Sequence, residues 1–191
     1  VIDLLARAPG MPTAAFPRNL SLALGTCDVS VLGLARAYAI FINGGRPIEP
    51  YYIRYIEDRS ATLLRDDRQR SAPAAPVLKS ETCATLVRLM RGVLGPGGTA
   101  QAAALKTGFN IPAAGKTGTT SDYRDAWFAG VTPDFSAAVW MGHDDMRLPL
   151  AQGKTGGSIA APAWMNFVKA AYRNRPTRDF DAALETGSAK K

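Results

Sequence analysis

Apolar and polar positions along the chain follow two periods, helical first and extended later. Helical spacing joins Ile2, Leu5 and Ala6 and breaks at Pro9-Gly10, and a proline-punctuated loop then runs to Arg18. The stretch "SLALGTCDVSVLGLARAYAIFINGG" predicts the strongest helix of the first half, with Asp28 or Ser30 as its cap. Leu32, Ala35, Tyr38, Ala39 and Ile42 form its apolar face, and Gly44-Gly45 end it. Beyond Pro47 and Pro50, "YYIRYIED" and "ATLLRDD" read as a hairpin about Arg59-Ser60. After the loop "QRSAPAAP", Ser80 is expected to cap a second helix. That helix carries Cys83, Leu86, Val87, Met90 and Val93 on one side and stops at Gly95.

From Ala113 the period becomes extended. "GKTGTT", "DAWFAGVT" and "SAAVWMG" predict three short strands, and the connections "SDYR" and "PD" are short enough to require an antiparallel meander. "APAWMNFVKAAYR" predicts a terminal helix that lays Trp164, Phe167, Val168 and Ala171 on the sheet. The stretch from Asn174, rich in charge and small residues, is expected to be a disordered tail. The fold class is therefore α/β, of the α+β type: an antiparallel sheet flanked by helices.

Composition removes several function classes. At 191 residues, 47% hydrophobic and 20% charged, the chain reads as a folded globular segment. It opens on Val, as a processed chain or a fragment does. Its longest apolar run, around residues 37–42, falls far short of the ~18 residues of a membrane span. The net charge of +7 is dispersed, with Arg65, Arg68 and Arg70 set among Asp66 and Asp67. A stripe that tracks phosphates needs clustered Lys and Arg with interleaved aromatics, so no nucleic-acid partner is expected. Cys27 and Cys83 read as small buried side chains, and zinc would require ligand pairs at short spacing. No metal and no cofactor is expected. The sole histidine, His143, reads as a residue at the end of a strand.

One motif remains. Lys-Thr-Gly occurs three times, at Lys106, Lys116 and Lys154. Preceded by Gly115, the middle copy first suggests a phosphate loop. That motif requires a glycine where Asn110 stands, and a helix rather than a strand after the lysine. On a strand, Thr117 and Thr119 share one face and Lys116 takes the other. Two hydroxyls so placed can hold a carboxylate, while the lysine supplies positive charge and steers protons. Gly118 keeps bulk away where neighbouring structure comes close, and an edge-strand amide can donate to an oxyanion. Lys106 ends an Ala-rich helical stretch and Lys154 sits in a Gly-rich approach to the last helix, so both read as exposed lysines outside any cleft.

The segment "AGKTGTTSDYRDAWFAGVTPDFSAAVWMGHDD" resembles the third-motif region of penicillin-binding transpeptidases, specifically the class A, bifunctional, high-molecular-weight members. "LSLALGTCDVSVLGLARAYAIFINGGR", "GGTAQAA" and "TGGSIAAPAWMNF" are similar to further blocks of that family, in the same order. The resemblance runs from about Leu20 to Phe167. It implies a five-stranded antiparallel sheet of the serine β-lactamase-like fold, incomplete here. Residues 1–173 would be the C-terminal part of the transpeptidase domain, followed by the tail 174–191. It also implies peptidoglycan stem peptides as substrate and β-lactams as ligands. Lys116 would be catalytic, and Thr117, Gly118 and Thr119 substrate-binding.

Such enzymes use two further motifs, Ser-x-x-Lys with the nucleophile and Ser-x-Asn. The sole Ser-x-x-Lys here is Ser188 to Lys191, in the charged tail, and no Ser-x-Asn occurs. By resemblance both should lie upstream of Val1, and a glycosyltransferase domain and a membrane anchor, placing the parent at the periplasmic face of the inner membrane, should lie outside this chain. The isolated chain is then expected to be inactive. Two alternatives stay open: a D,D-carboxypeptidase or β-lactamase-like hydrolase, and a non-catalytic partner-binding relic.

Overall fold

The structure is a computed structural model and describes residues 2–68, 74–145 and 147–180. Helix α1 (Ile2–Arg7) and two 3₁₀ turns, Thr13–Ala15 and Leu20–Leu24, bury Ala6, Phe16 and Leu22 in a small cluster of their own. Helix α2 (Val31–Ala39) begins where Ser30 accepts the Gly33 N–H at 3.0 Å, which selects Ser30 over Asp28 as the cap. Leu32, expected on its buried face, is exposed, and Gly33 is buried in its place.

Strands β1 (Tyr55–Glu57) and β2 (Leu63–Asp66) pair as the predicted hairpin. Its turn is closed by the Asp58 carboxylate, which accepts the N–H groups of Ser60 and Thr62 at 2.8 and 2.9 Å. Helix α3 (Ser80–Arg91) buries Cys83, Ala84 and Val87. Its N-cap is the extended Lys79, whose carbonyl accepts the Cys83 N–H, so Ser80 is the first helical residue and not the cap. Cys27 and Cys83 are both free thiols.

Helix α4 (Gln101–Thr107) leads into the meander β3 (Ala114–Thr119), β4 (Asp125–Val131) and β5 (Ser136–Gly142), ordered β3-β4-β5 and antiparallel throughout. The register sets Thr117 opposite Phe128 and Phe128 opposite Val139; one step along, Gly118, Trp127 and Trp140 form a row. Alternation places Thr117, Thr119, Phe128 and Gly130 on one face and Ala114, Lys116, Trp127 and Val131 on the other.

Each face has its own helical layer. A π-helical turn (Gly156–Ala160) and α5 (Ala161–Ala171) join α4 over the Phe128 face, where Ile111, Trp164, Met165 and Val168 complete the core. The Trp164 indole, fully buried, donates to the Ala137 carbonyl at 3.0 Å. Over the other face, Val87 meets Ala114 and Val131, with Tyr38, Ile42 and Met90 packed against them. There the Ser136 hydroxyl donates to the Ala35 carbonyl at 2.8 Å, tying β5 to α2.

Two expectations change at the C-terminal end. Phe167 is 55% exposed, whereas Met165 is buried. A helix advances about 100° per residue, so the stripe through Ala161, Trp164, Met165 and Val168 leaves Phe167 at the rim, where its ring meets Phe135. Residues 174–180 do not behave as a free tail either. Arg178 donates to Asp134 at 2.8 Å, Arg91 pairs with Asp179, and Phe180 is buried against the cluster of Val87, Ala114 and Val131. The rest of the expected tail, with Ser188, lies outside the described residues.

Candidate functional site

The three triplets occupy three kinds of backbone. Lys106 and Thr107 close α4, and Gly108 takes the left-handed φ of 61° that ends it. The Thr107 hydroxyl donates back to the Ala103 carbonyl at 2.8 Å, and its own carbonyl accepts from Lys169 at 2.6 Å. Both contacts are internal to the helical layer, and the Lys106 side chain is exposed.

Lys116 to Thr119 lie on β3, which is paired with β4 alone and so forms the edge of the sheet among the described residues. Burial falls along the strand. Ala114 and Gly115 are buried, Thr117 and Gly118 half-buried, and Lys116 and Thr119 exposed. The Lys116 ammonium turns back and donates to the Thr117 carbonyl at 2.9 Å, so its charge lies beside the strand carrying the two hydroxyls. The Thr117 hydroxyl shares a 2.7 Å hydrogen bond with that of Thr99, and the Thr119 hydroxyl accepts the Gly156 N–H at 3.0 Å. Thr120 ends the strand by accepting the N–H groups of Arg124 and Asp125, which folds the chain into β4.

The third triplet is only half outside this region. Lys154 is exposed, but Gly156 is buried against β3. A Cβ at Gly156 would strike the carbonyl oxygens of Trp127 and Gly118. From the opposite face, a Cβ at Gly118 would stand 3.1 Å from that of Trp127. The sheet is thus thin at Gly118, and glycine on both sides permits the approach. Thr155 and Ser158 form a reciprocal capping box, with the Thr155 N–H donated to Ser158 at 2.8 Å, and this holds the turn that delivers Gly156.

Thr99, Gly156 and Gly157 were not among the site residues expected from sequence. Their contacts join positions 18 and 37 residues apart, which no local period signals. Chemically, the strand presents two hydroxyls and one ammonium along an exposed edge, a set suited to an anion such as a carboxylate. Among the described residues, no three His, Cys, Asp or Glu side chains are grouped so as to hold a metal ion, and no helix is long and apolar enough to cross a membrane.

Comparison with known proteins places the chain in a family. The family model of the penicillin binding protein transpeptidase domain matches residues 1–169. Penicillin-binding protein 1A of Aquifex aeolicus is 35% identical over 165 residues, covering 86% of this chain and 22% of that protein. The protein of the same name from Neisseria lactamica is 36% identical over 174 residues, covering 87% and 21%. The chain therefore spans about a fifth of the length of these curated relatives. Among solved structures, penicillin-binding protein 1A of Haemophilus influenzae superposes with a TM-score of 0.81 at 26% identity, over 94% of this chain and 32% of that one. The penicillin-binding protein PonA1 of Mycobacterium tuberculosis gives 0.77 at 21% identity over 94% and 50%, a likeness of fold. With a family model spanning residues 1–169 and a meander of the same build, the chain belongs to the transpeptidase domain family of penicillin-binding proteins, among the class A members.

Proposed function

We propose that this segment is the substrate-holding part of a peptidoglycan D,D-transpeptidase that works through a serine acyl-enzyme. In the reaction, the serine oxygen attacks the carbonyl of the D-Ala-D-Ala peptide bond of a stem peptide, and the terminal D-alanine leaves. The acyl group then passes to an amine of a neighbouring strand, forming the cross-link and releasing the serine. Splitting one hard step into two is the gain of covalent catalysis. β-Lactams acylate the same serine. That serine and its Ser-x-x-Lys and Ser-x-Asn partners lie outside these 191 residues, as do the glycosyltransferase domain and an anchor at the periplasmic face of the inner membrane.

The observation that carries this reading is the placement of Lys116, Thr117 and Thr119 on the edge strand. In the proposed roles, Thr117 and Thr119 donate to the substrate carboxylate, and the Lys116 ammonium adds positive charge and guides protons. Gly118 keeps the strand thin, and an edge amide supports the oxyanion. The test is acylation by a penicillin in the full-length protein. Thr119→Val is expected to slow it by an amount equivalent to about 1.5–3 kcal/mol, the worth of a hydrogen bond to a charged group. Thr107→Val, in the helical triplet, leaves it at the wild-type rate. Equal effects from the two substitutions reject the assignment of the middle triplet.

A further inference from the structure

A threonine hydroxyl has one proton to donate and two lone pairs to accept with. Which way the proton points depends on what the oxygen already accepts. At Thr119 the oxygen accepts the Gly156 N–H at 3.0 Å, so its own proton is directed away from that amide. Thr119 is exposed, and the strand edge lies open to solvent there. At Thr117 the partner is the hydroxyl of Thr99, at 2.7 Å. When Thr99 donates, the Thr117 proton is likewise left for an outside acceptor.

The two partners of these hydroxyls, the Gly156 amide and the Thr99 hydroxyl, are themselves held in place, and by a single turn. Gly156 lies on the backbones of Gly118 and Trp127, so closely that a Cβ would collide with their carbonyl oxygens. A Cβ on the next residue, Gly157, would collide with the Thr99 carbonyl and stand 3.8 Å from the Thr117 methyl. The capping box of Thr155 and Ser158 fixes this turn from behind. The Thr99 backbone is fixed from the other side, because the Ala100 N–H, next in the chain, donates to the Val93 carbonyl at 2.9 Å. Thr99, Gly156 and Gly157 thus all touch the residues that carry the two hydroxyls.

We propose that Thr99 and the Thr155-Gly156-Gly157 turn are positioning residues that set the hydroxyl protons of Thr117 and Thr119 outward as a paired donor for one carboxylate. The proposal rests on the reading of these threonines as the carboxylate site. The third Lys-Thr-Gly copy then has a use different from the second: its threonine and glycine brace the strand, and its lysine stays in solvent. Donors oriented before the ligand arrives cost no reorganisation on binding, and their benefit exists only for a ligand that carries the carboxylate.

That restriction supplies the test. In the full-length protein, the rate constant for acylation is measured with benzylpenicillin and with its methyl ester, which lacks the anion. Thr99→Val keeps the shape of the side chain and removes its hydroxyl. The expected result is a loss of about tenfold with the acid, in line with one hydrogen bond to a charged group, and no change with the ester. Thr99→Ser restores the hydroxyl and is expected to recover the acid rate. Equal loss on both compounds overturns the proposal, because a packing defect does not distinguish an acid from its ester. Failure of Thr99→Ser to recover overturns it as well. Thr119→Val runs beside them. If it removes the preference for the acid while Thr99→Val does not, the brace is wrong and the carboxylate site stands. If neither variant alters that preference, the carboxylate reading of β3 falls, and the brace falls with it.

Discussion

Two parts of the molecule, the sheet with its helices at residues 100–172 and the outlying stretches at residues 20–24 and 51–66, put their apolar residues to different ends. In the sheet region Phe128, Trp164, Met165 and Val168 are fully buried. In the other, Leu20 is 95% exposed, Leu24 88% and Tyr52 86%. Both parts contain regularly spaced apolar residues, so patterning does not explain the contrast. Layers do. The meander is covered by α4 and α5 on one face and by α2 and α3 on the other. The β1–β2 hairpin shows exposed side chains at nearly every position. A two-stranded ribbon has too little partner surface to be stable by itself, and exposed apolar side chains beside it favour association between chains.

The largest effect expected from this contrast is at Trp164. Replacing it with alanine opens a cavity between α5 and Phe128 and removes the indole N–H donated to the Ala137 carbonyl. A loss of roughly 3–5 kcal/mol is expected in chemical unfolding of the sheet region. A loss under about 1 kcal/mol, the size of an ordinary surface change, would mean that this region has no core of its own.

At the exposed end the expectation reverses. In the 191-residue chain, Leu20→Ser with Leu24→Ser should leave the unfolding free energy within about 0.5 kcal/mol of wild type and reduce self-association in light scattering. If the pair instead unfolds the chain, these leucines hold structure that their exposure does not reveal.

The smallest effect concerns residues 172–180, which lie against the sheet region. The Tyr172 hydroxyl donates to Asp134 at 2.6 Å and Arg178 donates to the same carboxylate at 2.8 Å. These two bonds, Tyr172 first, hold the Asp134 carboxyl below the ordinary carboxylate range. A depressed carboxyl stabilises the folded arrangement at pH above its unfolded value. The contribution fades as pH falls below about 4 and through the folded value. Hydrogen exchange should therefore show residues 172–180 losing protection in acid before β4 and β5 do. Asp134→Asn should reduce that pH dependence, leaving the share due to Asp179, whose carboxyl is likewise lowered by the Phe180 N–H and by Arg91; an unchanged acid response in that variant rules out Asp134 as a source.

The legibility of these regions from sequence follows the range of the contacts that build them. The three sheet strands could be read because residues of period two stand between turn signals, "SDYR" and "PD", a few positions apart. The cap of α2 was narrowed from sequence to Asp28 or Ser30, and only the Gly33 N–H bond selects Ser30. Lys116, Thr117 and Thr119 could be placed on one strand, and their alternation followed from its pleat. Their contacts with Thr99 and Gly156 were not legible, since they depend on how Thr99 and the Gly156 turn come to lie beside β3. The ordering of residues 174–180 was hidden likewise. Arg178 and Phe180 look like part of a charged tail until Asp134 and Val87 stand beside them.

The central proposal is that these residues hold the substrate strand of a serine acyl-transferase whose nucleophile is elsewhere. Labelling with a fluorescent penicillin, followed by a denaturing gel, addresses it directly. The full-length protein should give a covalent band, and the 191 residues alone should give none at any concentration of label. A labelled band from the 191 residues would require a nucleophile within them and would be incompatible with the proposal. An unlabelled full-length protein would remove the acyl-enzyme altogether.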